Sequence, residues 1–223
     1  MVSARVAAVA LVALAGAVPV AAGAAEGGQW HVGVSGGTLG ISPEVGYRFG
    51  SHTGLRVNGG FLDYDRSEEI DDIDYDGTLK LNSVGLMADF YPFGGSFRLS
   101  VGARSNSNKI DLVATPTTDV EIGDVSYSPD QVGQLAGGVK FRKFTPALTL
   151  GWGGKLGKGF TMGLEAGVLL QGSPKFSLAA SGGLLANDDE FLEELEKERA
   201  QAEEDAEDFK LWPVIQIHFA WRF

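Results

Sequence analysis

The sequence predicts an all-β protein, an eight-stranded antiparallel transmembrane β-barrel with one acidic helix in a long loop. Three observations lead to this prediction. The last strand alternates apolar and polar residues up to the C-terminus, the links between strands alternate between short and long, and the chain opens with an apolar segment typical of exported proteins.

The last strand, from Leu211 to Phe223, has one apolar face and one polar face. The apolar face carries Ile215, Ile217, Phe219, Trp221 and Phe223, and the residues between them include Gln216, His218 and Arg222. In a soluble sandwich the apolar face would pack on a second sheet, whereas in a membrane barrel it contacts lipid and the polar face lines the lumen. The pattern resembles the terminal strand that the bacterial barrel-assembly machinery recognises, so Phe219, Trp221 and Phe223 are the candidate assembly signal.

The first 25 residues have the organisation of a secretory signal peptide. Arg5 precedes the apolar run from Val6 to Val20, and Ala22-Gly23-Ala24 offers a cleavage site. The alternative, a membrane anchor, is disfavoured because a spanning helix needs about 20 apolar residues. We therefore expect residues 26–223 to form the mature barrel domain, located in the cell outer membrane. The chain has no cysteine, which excludes disulfides.

The negative charge is concentrated in one segment. The net charge is −11, and the stretch from Asp188 to Asp208 holds twelve acidic and two basic residues, a net −10. The rest of the chain is therefore nearly neutral, and nucleic-acid binding is disfavoured.

Counting strands back from the C-terminus gives an even number, as bacterial barrels require. The predicted strands are 29–35, 38–49, 55–64, 78–93, one from Phe97, 144–154, 160–171 and 211–223. We expect Leu39, Ile41, Val45, Tyr47 and Phe49 to face outward on the second strand. Before Gly36-Gly37 the apolar residues occupy even positions, and after it they occupy odd positions. This change of parity indicates either a hairpin or a bulge in one long strand. The hairpin gives the count of eight.

The links set the orientation of the barrel. Links after the second, fourth and sixth strands are short, and those after the third, fifth and seventh are long: 65–77, 106–143 and 172–210. Outer-membrane barrels have short periplasmic turns and long outer loops, so both termini should lie on the periplasmic side. The segment from Val120 to Tyr127 reads as a further short hairpin, in a ladder that projects beyond the bilayer.

The inward faces of these strands carry charges of both signs. We expect a lumen charge network of Glu44, Arg48, Arg56, Asp89, Arg98, Arg104, Glu165, His218 and Arg222. An eight-stranded barrel is just wide enough for its own side chains, so a salt-bridged plug is the first interpretation and a narrow polar path is the second. In the plug, the expected pairing is of Arg98, Arg104 and Arg222 with Glu44, Asp89 and Glu165. Catalysis by Glu165 and His218 would need a nucleophile, and no serine has a recognisable nucleophile context.

The segment Asp72-Ile73-Asp74-Tyr75-Asp76-Gly77 matches the opening of an EF-hand loop. The match fails at the twelfth position, which is Ser83 instead of glutamate. Asp72, Asp74 and Asp76 are therefore weak metal candidates only, and we predict an acidic outer loop and no bound cofactor.

Residues 187–210 are the predicted helix. Asn187 or Asp188 can cap it, and acids fill its first turn, where the helix dipole favours them. Its thin apolar stripe comprises Phe191, Leu195, Ala202, Ala206 and Phe209, so we expect it to lean on the barrel rim. Its carboxylates could gather divalent cations that also bridge lipopolysaccharide phosphates.

Three fragments, D-D-I-D-Y-D-G, D-F-Y-P-F-G-G-S-F-R-L-S-V-G and the C-terminal I-H-F-A-W-R-F, resemble small outer-membrane β-barrel proteins of Gram-negative bacteria, of the OmpA/OmpX/OmpW type. The resemblance implies an eight-stranded barrel that the assembly machinery inserts, without cofactor or active-site residues.

These observations predict a monomeric barrel with a side-chain-filled lumen and a structural or surface-interaction role, without enzymatic activity. The alternative is a narrow porin-like channel for small or hydrophobic solutes. A secreted enzyme or a soluble lipocalin-like binder is a third class. The expected partners are outer-membrane lipid, lipopolysaccharide and the barrel-assembly machinery.

Overall fold

A computed structural model describes residues 28–70, 73–123, 125–153 and 158–223. The predicted signal peptide and the metal candidate Asp72 lie outside the described residues. The elements, in chain order, are β1 (Gln29–Gly37), β2 (Gly40–Phe49), β3 (Thr53–Ile70), β4 (Ile73–Phe90), β5 (Phe97–Asn106), β6 (Lys109–Pro116), β7 (Val120–Ile122), β8 (Val125–Tyr127), α1 (Pro129–Val132), β9 (Gly133–Lys140), β10 (Phe144–Trp152), β11 (Gly159–Leu170), β12 (Lys175–Gly182), α2 (Asp189–Asp205) and β13 (Leu211–Arg222).

Eight strands close into a ring. Around the ring the order is β4, β3, β2, β1, β13, β11, β10 and β5, and every pair is antiparallel. The closing pair joins β4 to β5, from Ser83 opposite Asn106 to Phe90 opposite Leu99. The predicted eight-stranded antiparallel barrel is confirmed.

The parity flip between the first two strands marks a hairpin, as predicted. Its turn is Thr38-Leu39, since Gly37 pairs with Gly40. Gly40 has φ +78°, and a Cβ there would lie 2.4 Å from the carbonyl oxygen of Phe61, so this position requires glycine. The expectation that Leu39 faces outward is wrong: the turn directs its side chain into the barrel mouth, where it is buried.

The barrel wall has an apolar outer face and a polar inner face. On β13 the outward residues from Ile215 to Phe223 are 42–61% exposed, while Gln216, His218 and Arg222 are buried. Aromatic side chains gather near the end that holds the termini, where Trp30 contacts Tyr47 and Phe97 contacts Trp152. This alternation is typical of a wall with lipid on one side and a packed lumen on the other.

Five of the eight strands of the ring are continued beyond the end of the barrel that lies opposite the termini, which we call the outer end; the end that holds the termini is the inner end. β3 and β4 run through without a break, and β6, β9 and β12 extend β5, β10 and β11 beyond short irregular segments at 107–108, 141–143 and 171–174. We call these five projecting strand segments the outer sheet; it pairs in the order β3, β4, β6, β9, β12. Much of the predicted long loops is therefore regular strand, because their backbone groups continue the barrel's hydrogen-bonded ladder.

The outer sheet has its own apolar core. Ile122 and Tyr127 of the β7–β8 hairpin, Val132 of α1, and Phe191 and Leu195 of α2 pack together against residues of β9 and β12. The hairpin at Val120–Tyr127 is confirmed, but it pairs only with itself and does not belong to the projecting ladder.

The predicted helix is confirmed as α2, with Asp188 as its N-cap accepting hydrogen bonds from the backbone of Glu190 and Phe191. It packs on β12 and β7, so the expectation that it leans on the barrel rim is wrong. Phe209 lies beyond the end of the helix and is exposed, so only the N-terminal part of the predicted stripe is buried. Among the described residues, neither helix has the length and apolar character that crossing a membrane would demand.

Candidate functional site

Arg56, on β3, is the centre of the lumen. Its side chain is fully buried, and its guanidinium lies 2.8 Å from Glu165 and 3.3 Å from both Glu44 and Asp89. These three acids come from β2, β4 and β11, so one cation joins strands on opposite sides of the ring. Three carboxylates around one guanidinium would repel each other without further donors.

Two histidines and two hydroxyls complete that arrangement. His218 places Nδ1 3.3 Å from Glu44 and Nε2 3.0 Å from Glu165, and His31 lies 3.6 Å from Glu44. The hydroxyl of Thr149 donates to Glu165 at 2.6 Å, and the hydroxyl of Ser100 donates to Asp89 at 2.6 Å. Glu165 and Asp89 therefore each accept hydrogen bonds from more than one donor. Glu44 accepts one from Arg56 and has both histidines close by. Such compensation is the condition for keeping buried charges stable.

The remaining arginines differ in their partners. Arg98 pairs with Glu165, as the charge pattern suggested. Arg104 instead donates to neutral groups, reaching Asn58 Oδ1 at 2.6 Å, the carbonyl of Gly59 at 3.0 Å and the hydroxyl of Ser83. The expectation of an acidic partner for Arg104 is wrong. The three carboxylates gather around Arg56, nearer the inner end of the lumen than Arg104.

Arg48 and Arg222 occupy the inner end of the lumen. Arg48 donates to the carbonyls of Gly94 and Gly95, at 2.9 and 3.2 Å, and stacks 3.6 Å above the ring of Tyr91. It therefore joins β2 to the turn between β4 and β5. Arg222 is buried on β13 and lines a small cavity next to His31 and His218.

The outer side of the charge layer is closed by apolar residues. Leu39, Met87, Ala147, Leu169 and Val214 form a buried cluster with Trp212 packed against it, which we call the stopper. Hydrogen bonds of Thr38 fix the turn that carries Leu39 to β13. The backbone N–H of Thr38 donates to the carbonyl of Ile215 at 3.0 Å, and the N–H of Ile215 donates to the hydroxyl of Thr38 at 3.0 Å. The carbonyl of Thr38 accepts from the indole of Trp212 at 3.3 Å.

Two small cavities flank the charge layer. One of about 20 Å³ lies on the inner side, lined by His31, Glu44, Arg98 and His218 among others. One of about 10 Å³ lies towards the stopper, lined by Leu39, Arg104 and Glu165 among others. A single water needs roughly 10–15 Å³, so these spaces suit one or two isolated waters and no larger solute.

The charge pattern identified the charged residues that the structure places in the lumen, but it did not identify His31 or the polar partners Asn58, Ser83 and Thr149. The signal was present, because each of them alternates along its strand with outward apolar residues. Parity applied to every polar residue, not only to charged ones, would have found them.

The other predicted residues lie outside the lumen. Phe219 and Trp221 are on the outer face of β13, and Phe219 stacks on Phe160; Phe223 follows the last residue of the strand and is exposed. Asp74 and Asp76 lie on β4, paired with Glu69 and Ser67, so this segment is a strand and not an EF-hand loop. The described parts of the chain contain no group of three or more His, Asp or Glu arranged to hold a metal ion.

Solved structures with the same architecture come from bacterial outer membranes. CarO of Acinetobacter baumannii superposes with a TM-score of 0.60 and 20% identity, covering 87% of this chain and 97% of CarO, and CarO2 with 0.58 and 21%, covering 88% and 97%. This chain has the fold of an outer-membrane β-barrel. The fold and the apolar outer face together place it in the outer membrane, as the sequence predicted.

A major outer membrane protein of Thermus thermophilus is also similar, with a TM-score of 0.41 and 14% identity over 88% of this chain and 99% of that protein. No protein-family profile matches the sequence, and no curated protein matches it.

Proposed function

We propose that the protein is a non-enzymatic, monomeric outer-membrane barrel whose filled lumen makes it a rigid support for the outer sheet and its helices. The role that follows is structural or surface-interacting. The barrel anchors the protein in the membrane, and the folded outer part is available for contacts outside the cell. The observation that carries this proposal is the lumen, in which Arg56 joins Glu44, Asp89 and Glu165 and the stopper covers them.

The packing of the outer part supports the same role. A loop that served only as a connection would not need a core, whereas here α1, α2 and the β7–β8 hairpin bury five residues against β9 and β12. An ordered surface on a rigid base retains its shape for contact with a partner, and ordering it in advance lowers the entropy lost on binding.

Conductance of the refolded protein in planar bilayers tests the proposal directly. We expect no discrete steps from the wild-type chain, because the charge layer separates the two cavities and the stopper covers the one on its outer side. Regular single-channel steps in the wild type, absent from a heat-denatured control, would refute the filled-lumen proposal.

A narrow channel is the second candidate, and one feature favours it. The stopper depends on a single two-residue turn, Thr38-Leu39, held by hydrogen bonds to β13. If that turn moved, the cavity beneath it would open to the outer end. Leu39→Gly combined with Thr38→Val removes the stopper residue and one anchoring bond, and Ile41→Gly, which alters an outward residue nearby, is the control.

Under the structural proposal the Leu39 and Thr38 variant stays silent, because the charge layer still blocks the lumen. Under the channel proposal it conducts continuously while the Ile41 variant behaves as wild type. The two candidates therefore differ in one measurement, made on proteins whose folding is verified by heat-modifiable gel mobility.

A further inference from the structure

The strand register places four lysines in one row across the outer sheet. Lys80 on β4 is opposite Lys109 on β6, Lys109 is opposite Lys140 on β9, and Lys140 is opposite Lys175 on β12. We call these four residues the lysine row. Directly opposed residues on neighbouring strands have Cβ atoms about 4.5–5.5 Å apart, so like charges there destabilise the sheet.

The sheet offers the row little compensating charge of its own. Asp63 of β3 is opposite Lys80 at one end of the row, and Asp111 makes an ion pair with Lys109 at 2.5 Å. At the other end, Lys140 and Lys175 are exposed and oppose each other. Glu203 of α2 is close enough to act on the charge of Lys175, but it is already paired with Arg199. Outside the acidic segment 188–208 the chain is nearly neutral, so the row is a local concentration of positive charge.

The row lies on the outward face, next to the lipid-facing belt. Lys80 and Val84 are on the same face of β4, and Lys140 precedes Phe144, the first outward apolar residue of β10, by four residues. Four residues of tilted strand rise about 10 Å along the membrane normal, and a lysine side chain can reach back several ångströms toward the belt. The ammonium groups are therefore at the depth of outer-leaflet headgroups.

The two rims of the barrel also differ in chemistry. The inner rim carries aromatic pairs such as Trp30 with Tyr47, which suit a phospholipid interface. At the outer end, where Phe141 contacts Trp212, further cations accompany the lysine row: Arg142 and Lys143 in the segment between β9 and β10, and Lys210 before β13. A rim of cations suits a leaflet whose headgroups carry phosphates.

From these observations we propose that the lysine row binds the phosphate groups of the outer-leaflet glycolipid, lipopolysaccharide. The bound phosphates would neutralise the cross-strand repulsion between the lysines and hold the outer sheet at a fixed depth. The proposal relies on the barrel's place in the outer membrane and on the predicted orientation, with both termini on the periplasmic side, and is independent of whether the lumen conducts.

Native mass spectrometry of the refolded full chain tests the proposal, with phosphorylated lipid A as the probe. Lys140→Gln with Lys175→Gln removes the two exposed charges, and Lys158→Gln with Lys197→Gln removes two exposed charges elsewhere. Each surface lysine adds roughly 1 kcal/mol to attraction for an anionic lipid surface, so we expect binding to weaken about tenfold or more in the first variant and to remain at the wild-type level in the second.

Two further arms identify the ligand. Lipid A without its phosphates should bind the wild type as weakly as phosphorylated lipid A binds the glutamine variant, and inorganic phosphate should not displace the phosphorylated lipid. Lys140→Arg with Lys175→Arg should restore binding, which separates charge from folding. Equal binding by the two glutamine variants, equal binding of the two lipids, or full displacement by inorganic phosphate would each overturn the proposal.

Discussion

The two halves of β4 have opposite polarity. Near the inner end, Leu86 and Phe90 face outward while Asp89 is buried in the lumen; beyond Ser83, Lys80 and Asp76 face outward and Leu81 is buried. β3 changes in the same way at Phe61. Leu55 and Val57 face outward before it, whereas Asp63 and Asp65 face outward after it, nearer the outer end. The solvent on the outer face therefore changes from lipid to water along a single strand.

The difference shows that the two regions are stabilised by different forces. In lipid, an apolar outer face gains nothing from burial, so the barrel depends on its closed ladder and on the ion pairs around Arg56. In water, the outer part can bury apolar side chains, and it does so around Phe191. Charge changes should therefore damage the barrel, and cavity-forming changes should damage the outer part.

The largest effect is expected at Arg56. Replacing it with methionine keeps the approximate length of the side chain but leaves Glu44, Asp89 and Glu165 without their shared cation. Breaking a buried pair by removing one partner typically costs about 3–5 kcal/mol. Unfolding of the refolded barrel by urea, followed by tryptophan fluorescence, should show a lower midpoint.

Arg104→Met is the matched control, because Arg104 donates to Asn58, Gly59 and Ser83 and not to a carboxylate. Losing hydrogen bonds from a charged donor costs about 1.5–3 kcal/mol, so its midpoint should fall less. If both variants unfold at the same urea concentration, the ion pairs are not what stabilises the lumen.

In the outer part, Phe191→Ala should have the strongest effect. The side chain is 1% exposed and packs edge-on against Tyr127, at 5.0 Å between ring centres. Phe→Ala changes in cores cost about 3–5 kcal/mol. We expect α2 to detach, so that trypsin cuts faster at Lys197 and Arg199, while the barrel keeps its heat-modifiable gel mobility.

Leu192→Ala serves as the control for this variant, since Leu192 is the next residue of α2 but is 43% exposed. Its trypsin sensitivity should match the wild type. A Phe191→Ala protein that loses its heat-modifiable mobility as well would show that the two regions fold as one unit, against the comparison drawn above.

The polarity change can be measured on one face of one strand. Leu86→Lys puts a charge on the lipid-facing part of β4, which costs about 2–4 kcal/mol near the middle of a bilayer. Thr78→Lys puts the same charge on the same face, eight residues nearer the outer end, where the neighbouring outward residues are Lys80 and Asp76. Only the first variant should refold poorly into vesicles, as followed by gel mobility.

The sequence was sufficient to predict the barrel because period-two alternation and alternating link lengths both follow from lipid on one side of a closed ladder. The outer sheet was not predicted, because its apolar residues lie on the opposite face. There Leu79 and Leu81 follow the parity of the lumen residues, so the stretch no longer matched the pattern of a membrane strand. The lysine row was equally hidden, since its members are far apart in sequence and only the register of four strands aligns them.

The site was predictable in its members but not in its pairs. Parity alone puts Arg56, Arg98 and Arg104 inside, and it does not say which arginine meets an acid, because that depends on the stagger between strands. The stagger places Arg56 level with Glu44 and Glu165 and leaves Arg104 beside Asn58. The orientation of the Leu39 side chain was predicted wrongly for a related reason, because the exact bounds of the turn decide whether a side chain points outward or into the lumen.

The smallest expected effect concerns the contact between α2 and β12. Glu203 accepts a hydrogen bond from the backbone of Phe176 at 3.1 Å and pairs with Arg199 at 2.9 Å, and the Arg199 hydrogen bond is the main cause that lowers the pKa of Glu203 below 4.5. A carboxyl with a lowered pKa stabilises the folded state above its ordinary pKa and loses that contribution as the pH falls through the lowered value. Below about pH 4.5 the Phe176 amide should therefore exchange faster relative to its intrinsic rate at the same pH, so its protection factor should fall in the wild type.

Glu203→Gln should show that faster exchange already at neutral pH and lose the acid dependence. Glu204→Gln, at the neighbouring position of α2, is the control and should keep both the slow exchange and its response to acid. Because Glu203 is exposed to water, the change should be confined to the end of β12 and should leave urea unfolding of the barrel unaltered. An acid response that persists in Glu203→Gln would assign the contact between helix and strand to another group.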